Sequence, residues 1–133
     1  MLFRSIFSKF DFVVNKLNTK FFGFDIYELD TLQYTIYDEE GSHYNWHWDI
    51  NFVNDLQSSL IHQRKLSAVL QLADKDEYDG GDLLLATGGP EICIPKKKGY
   101  MTIFPSFILH KVEPVSKGSR RTLVGWFKGP DWR

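Results

Sequence analysis

From Thr31 onward the apolar residues recur at every second position, in short runs broken by turn-forming clusters, and a helix cannot use that period. Leu32, Tyr34 and Ile36 alternate with Gln33, Thr35 and Tyr37, and Leu66, Ala68, Leu70 and Leu72 share one side of a later run. Residues 38–42, 74–81, 87–90, 95–99 and 116–119 are rich in Asp, Gly, Pro, Ser and Lys and read as turns. Strands are expected over 31–37, 43–50, 65–72, 82–86, 91–94, 100–104, 109–115 and 120–127. About eight short strands at such spacing predict a mainly β chain, a double-stranded β-helix or jelly roll.

The N-terminal segment follows another rule. Phe3, Ile6, Phe7, Phe10, Val13, Val14 and Leu17 recur at three and four, so residues 3–18 are expected to form one packing helix, stopped near Gly23. The 133 residues are expected to form a single domain, 1–133, with the jelly-roll core over about 31–128. Residues 51–63 lack a period and are a lid candidate.

Composition narrows the partners. A net charge of −1 argues against a nucleic-acid or membrane-surface protein. Arg4, Lys9 and Asp11 interrupt the N-terminal apolar residues too early for a signal-peptide core, and no run is long enough for a membrane helix. Cys93 is the only cysteine, which fits a reducing compartment, so the protein is expected to be cytoplasmic. An oligomer remains open.

The chemistry concentrates at His47-Trp-Asp49. Side chains two apart on a strand share a face, so His47 and Asp49 could share a metal while Trp48 points away. His110, 61 residues beyond Asp49, opens another expected strand and is the candidate third ligand. Two histidines and one carboxylate leave half an octahedron open, as in non-haem Fe(II) oxygenases. Zinc would more often recruit thiolates, and a lone cysteine offers little. Arg120 comes ten residues after His110, across the expected 116–119 turn and so on the antiparallel neighbour of the His110 strand, and shares a strand face with Thr122, Val124 and Trp126. A guanidinium aimed into a barrel needs an anion, because an unpaired buried charge is costly. The carboxylate of a bound dicarboxylate would satisfy it, with the Thr122 hydroxyl as a second donor. The competing reading pairs Arg120 with a protein carboxylate or with solvent, and makes Arg121 the inward residue.

These residues sit in a larger pattern. Leu32-Gln-Tyr-Thr-Ile-Tyr37, His47-Trp-Asp49, Arg64-Lys-Leu-Ser67, Tyr78-Asp-Gly-Gly-Asp-Leu83, Phe104-Pro-Ser-Phe-Ile-Leu-His110 and Pro114 through Trp126 together resemble the prolyl 4-hydroxylase-like branch of the Fe(II)/2-oxoglutarate dioxygenases, including PKHD-type hydroxylases. The resemblance implies that His47, Asp49 and His110 ligate iron, that Arg120 binds the distal carboxylate of 2-oxoglutarate, that Tyr37 contacts that cosubstrate, and that Trp126 packs beneath it. It also implies dioxygen as oxidant, succinate and carbon dioxide as products, ascorbate among the expected reductants, and hydroxylation of a C–H bond in an unidentified peptidyl or small-molecule substrate, a prolyl residue included. In the related halogenases the carboxylate position is small, so the intact Asp49 favours hydroxylation. Two departures stand out: the chain begins later than family domains do, and Gln71 replaces a tyrosine that relatives often carry.

Tyr44, Trp46, Trp48, Phe52 and Phe107 supply aromatic surface for a substrate or serve merely as sheet-face packing. His43 and His62 read as surface residues, the triple lysine at 96–98 as a solvated turn, and Gly80-Gly81 as a turn rather than a phosphate loop. Competing readings are a catalytically silent jelly roll that binds metal or an organic acid, and a cupin-like enzyme with another metal.

Overall fold

The computed structural model describes residues 2–38, 40–50 and 63–132. The first element is helix α1 (Leu2–Leu17), followed by a π-helical turn over Asn18–Phe22. Its end is chemically defined. Gly23 adopts φ 66°, its N–H donates to the Asn18 carbonyl at 2.7 Å, and the buried Asn18 side chain bonds both the N–H and the C=O of Phe24. The left-handed turn at Gly23 is the helix stop expected from sequence.

Nine strands follow among the described residues: β1 (Glu28–Asp38), β2 (Tyr44–His47), β3 (Gln63–Gln71), β4 (Tyr78–Gly80), β5 (Leu83–Ala86), β6 (Ile92–Cys93), β7 (Met101–Pro105), β8 (Leu109–Val112) and β9 (Val115–Gly129). They form two antiparallel sheets. The larger has the order β1-β9-β3-β7, with β4 also paired to β9; the smaller has the order β2-β8-β5-β6. Of the expected lid, 51–63, residues 51–62, with Phe52 and His62, lie outside the described residues, and Gln63 opens β3.

Helix α1 covers the outer face of the larger sheet. Phe10 and Val14 are buried there with Leu66, Ala68 and Phe127. Gly125 makes the contact close: a Cβ there would meet the Phe10 ring at 3.0 Å. The expected stripe is therefore narrower than its periodicity, because Phe7 is largely solvent-facing while Ile6, Phe10 and Val14 turn inward. On β1 the helix covers Leu32, but Tyr34 and Ile36 stay exposed. The alternate residues Gln33, Thr35 and Tyr37 face the space between the sheets. The more polar side of β1 is thus its inner side.

Three expectations about the C-terminal half change. Residues 116–119 are not a turn between strands. They lie inside the 15-residue β9, where Gly118 (φ 72°) packs so closely on β4 that a Cβ would sit 2.1 Å from the Glu77 carbonyl oxygen. The change of direction falls earlier, at residues 113 and 114. Consequently β9 is not the neighbour of β8: His110 belongs to the smaller sheet and Arg120 to the larger. The triple lysine is not uniformly solvated either. Lys96 donates to the Gly80 carbonyl at 2.5 Å, pairs with Asp82 at 3.1 Å, and lies over the Tyr78 ring.

If α1 is held by its inner stripe alone, Phe10→Ala should lower the unfolding free energy by about 3–5 kcal/mol in a denaturant titration. Phe12→Ala, at a position 67% exposed, should stay within about 0.5 kcal/mol. Equal losses would mean the helix packs on a different face.

Candidate metal centre and organic-acid pocket

The small sheet supplies both imidazoles. β2 and β8 run antiparallel with His47 directly opposite His110, and the ring centroids are 4.1 Å apart. Each ring is oriented from behind. His47 Nδ1 meets the Asn45 carbonyl at 2.7 Å, and His110 Nδ1 meets the Ile108 carbonyl at 2.8 Å. A carbonyl only accepts, so each Nδ1 carries a proton, and in the neutral ring Nε2 is the atom left with a lone pair for a metal.

Asp49 reaches the same point by another route. The expected strand 43–50 ends early, at His47, so Asp49 lies past it rather than on it. Its backbone N–H donates to the Ser106 carbonyl at 3.0 Å, which fixes the approach. Its two carboxylate oxygens divide the work. Oδ2 accepts from Ser67 Oγ on β3 at 2.6 Å and from Trp126 Nε1 on β9 at 2.9 Å. Oδ1 faces both imidazoles, 3.5 Å from each Nε2. Ser67, wholly buried, gives its proton to Asp49 and takes one from Ser106 at 3.0 Å.

The electrostatics follow from these contacts. Burial of Asp49 would raise its pKa, but the hydrogen bond and charge of His110, with the Ser67 and Trp126 donors, pull it down to about 2. Burial lowers the His47 pKa, although the Asn45 carbonyl and Asp49 work in the other direction. Near neutral pH the cluster is therefore one carboxylate and a neutral His47 ring aimed at a common point. The ligand atoms of His47, Asp49 and His110 lie within 4.8 Å of one another, and Asp49 Oδ1 is 3.5 Å from each Nε2, a separation that two ligands of one ion can have. The donor set of two nitrogens and one oxygen suits a first-row metal that keeps open positions, so the residues fit iron.

A cavity of about 460 Å³ opens beside the cluster, lined by His47, Asp49 and His110 on one side and by Tyr37, Arg120, Thr122 and Trp126 on the other. Arg120 is 3% exposed, and burial lowers its pKa while the hydroxyl groups of Tyr78 and Tyr37 oppose that. Its guanidinium lies 5.3 Å from the centroid of the Tyr37 ring. Among the described residues no carboxylate lies within ion-pair distance of it. The Thr122 hydroxyl is fully buried and finds no hydrogen-bond partner among the described residues. A buried cation with no carboxylate in ion-pair distance, Asp82 acting on it only from farther off, fits a carboxylate ligand beside the Thr122 hydroxyl. The alternative inward residue is excluded: Arg121 points away and pairs with Glu77.

Of the expected aromatic surface, Tyr44 and Trp48 line the cavity and are half exposed. Trp46 instead carries Lys111 on its ring, and Phe107 packs edge-on against Trp132. His43 is an exposed residue bonded to the Gly41 carbonyl. Sequence reasoning quoted Ser67 within a motif and read Trp126 as a packing residue, but neither as a donor to Asp49, since a donor role across separate strands leaves no local pattern. Arg64, in the same motif, received no role; its guanidinium stacks 4.1 Å from the Trp126 ring centroid at the cavity wall.

The donors to Asp49 set the direction of its free oxygen, so their removal should weaken metal binding. Ser67→Ala and Trp126→Phe should each lower Fe(II) affinity about 10–100-fold in an anaerobic titration. Unchanged affinity in both would show that Oδ2 needs no anchoring.

Residues 32–128 match the 2OG-Fe(II) oxygenase superfamily. Over 92 residues the chain is 39% identical to a PKHD-type hydroxylase of Janthinobacterium sp. (strain Marseille), an overlap of 68% of this chain and 40% of that protein. It is 38% identical over 89 residues to a PKHD-type hydroxylase of Stutzerimonas stutzeri (strain A1501), covering 66% of this chain and 39% of the relative. The chain thus spans about two-fifths of the length of these curated relatives. Among solved structures, a Pseudomonas putida prolyl-4-hydroxylase superposes with a TM-score of 0.73 at 26% identity, over 93% of this chain and 65% of the other. A viral collagen prolyl hydroxylase from Paramecium Bursaria Chlorella virus-1, at 20% identity and a TM-score of 0.73 over 96% of this chain and 74% of that one, shares the jelly-roll fold. The chain belongs to the 2OG-Fe(II) oxygenase superfamily, whose cofactor is Fe(II) and whose cosubstrate is 2-oxoglutarate.

Proposed function

We propose that this chain carries the catalytic centre of a 2-oxoglutarate-dependent hydroxylase, with His47, Asp49 and His110 holding iron and Arg120 holding the distal carboxylate of 2-oxoglutarate. The observation that carries the reading is the pairing of two incomplete sites in one cavity. A His-Asp-His cluster with inward lone pairs faces a buried arginine that lacks an anion.

Each residue then has a definable task. His47 and His110 offer Nε2 because the Asn45 and Ile108 carbonyls hold the Nδ1 protons. Asp49 offers Oδ1 because Ser67 and Trp126 occupy Oδ2. Arg120 and Thr122 orient a dicarboxylate from its far end, and the Tyr37 ring closes one side. With iron, 2-oxoglutarate and dioxygen bound, the centre supplies oxidative decarboxylation to succinate and carbon dioxide coupled to oxygen insertion into a substrate C–H bond. The sheets' contribution is orientation and exclusion of water.

A prolyl residue in a peptide is the substrate this reading favours. The half-exposed Tyr44 and Trp48 at the cavity mouth would contact a ring, and the P. putida neighbour is a prolyl hydroxylase. The single cysteine fits a reducing, cytoplasmic setting, with ascorbate as a reductant for the iron.

Protein supplied with Fe(II), ascorbate and 2-oxoglutarate should release succinate, faster with a proline-containing peptide library, and mass spectrometry should find a gain of one oxygen on proline. No succinate from iron-loaded protein with any peptide would favour the silent binding module. Arg120→Ala should raise the 2-oxoglutarate requirement about 10–100-fold, the cost of one charge-assisted pair; an unchanged requirement would remove Arg120 from the site.

Acidification should weaken iron binding through the histidines rather than the aspartate. Coordinating imidazoles must be neutral, so affinity is full above their pKa values and falls as pH drops through them. His47, its pKa lowered by burial, protonates below the usual value near about 6.5, while Asp49 stays ionised down to about 2. A flat iron affinity between about pH 7 and pH 5 would contradict histidine ligation.

A further inference from the structure

We propose that Tyr78, held by Gln71, is a positioning residue that fixes the Arg120 guanidinium from behind and so sets the length of 2-oxo dicarboxylate the cavity accepts. The inference rests on the proposed role of Arg120. It starts from a requirement: a guanidinium recognises a carboxylate through a planar fork, and a long side chain left free to swing loses that advantage on binding. Tyr37 limits Arg120 on one side. The other side is built from a segment that the sequence presents only as a polar turn.

Tyr78 is 3% exposed and sits on β4, behind Arg120 as seen from the large cavity, which Arg120 lines and Tyr78 does not. Gly81 is the thin spacer between them. A Cβ there would lie 3.2 Å from the Tyr78 ring and 3.3 Å from Arg120 Cδ, and 2.9 Å from Val115, so only glycine lets the ring and the arginine stem close up. Gln71 Nε2 donates to the Tyr78 hydroxyl at 2.6 Å and to the Ala73 carbonyl at 2.9 Å, so both of its amide protons are committed and its direction is fixed. The Tyr78 hydroxyl in turn faces Arg120 across the small space that both line, and its nearness offsets the effect of burial on the guanidinium. Lys96, tied to the Gly80 carbonyl and Asp82, lies 4.8 Å from the ring centroid and blocks its retreat.

The space left behind this wall is a void of about 10 Å³ shared by Tyr78, Gln71, Lys96 and Arg120, enough for one water at most. Arg120 therefore cannot withdraw to admit an acid longer by one methylene. Gln71, a departure from the tyrosine often found in relatives, gains a purpose here: it holds a tyrosine supplied by a different strand.

The test is binding, without turnover, on the full chain loaded with Mn(II). Calorimetry gives dissociation constants for 2-oxoglutarate, for 2-oxoadipate (one methylene longer) and for pyruvate, which lacks the distal carboxylate. Tyr78→Phe should weaken 2-oxoglutarate about 5–10-fold, the effect of losing one polar neighbour of a charged group. It should narrow the discrimination against 2-oxoadipate and leave pyruvate within about twofold. Gln71→Met, which keeps the tyrosine, should shift 2-oxoglutarate the same way by a smaller factor, and it decides the matter if Tyr78→Phe does not fold. Unchanged 2-oxoglutarate affinity in these variants, or parallel weakening of 2-oxoglutarate and pyruvate, would overturn the positioning role. If Arg120→Ala also leaves 2-oxoglutarate unaffected, the reading of Arg120 itself fails, which is a separate outcome.

Discussion

The carboxylate of Asp49 is where the two sheets are joined chemically. Its backbone is tied to Ser106, one oxygen is held by donors from β3 and β9 of the larger sheet, and the other faces the histidine pair of the smaller sheet. A buried carboxylate is tolerated only when its lone pairs are met. Here two protein donors meet those of one oxygen, and the second oxygen faces the Nε2 atoms of both imidazoles, 3.5 Å from each. A cation between the three would complete that arrangement. The junction of the two sheets and the candidate metal centre thus share one carboxylate.

A division of labour between the sheets follows. β2 and β8 are short, and their pairing places two imidazoles opposite each other with backbone carbonyls behind. β9 is long and pairs with β1, β3 and β4, so a rigid central strand carries Arg120, Thr122 and Trp126 at alternate positions facing inward. The candidate metal ligands sit on one wall and Arg120 with Thr122 on the other, while one hydrophobic cluster lies outside, where α1 covers Phe127, Leu66 and Ala68, and a second, around Leu83, Leu85, Phe104 and Val112, lies between the sheets.

Much of this was legible in the residues. The switch from a helical to an alternating period marked α1 and the strands, and His47, Asp49, His110 and Arg120 were identifiable because metal ligands and inward charges are chemically restrictive. Spatial relations were less accessible. Residues 116–119 have turn composition, yet Lys117 and Gly118 pair with β4, and that pairing extends β9 and moves Arg120 to the sheet opposite His110. Alternation on β1 was visible, but only the position of α1 decides that Gln33, Thr35 and Tyr37 face the cavity while Tyr34 and Ile36 face solvent. Ser67 and Tyr78 each fall within a recognisable motif, but the motif does not tell what they do; that depends on partners 18 and 42 residues away, Asp49 and Arg120.

The central claim is that one ion and one organic acid share this cavity. The most direct measurement is the visible absorption that appears when 2-oxoglutarate chelates bound Fe(II) under anaerobic conditions. The account requires a band that forms only with both components present, disappears in His110→Ala, and needs more 2-oxoglutarate in Arg120→Ala. Iron and 2-oxoglutarate that bind without producing the band would place them apart and contradict it.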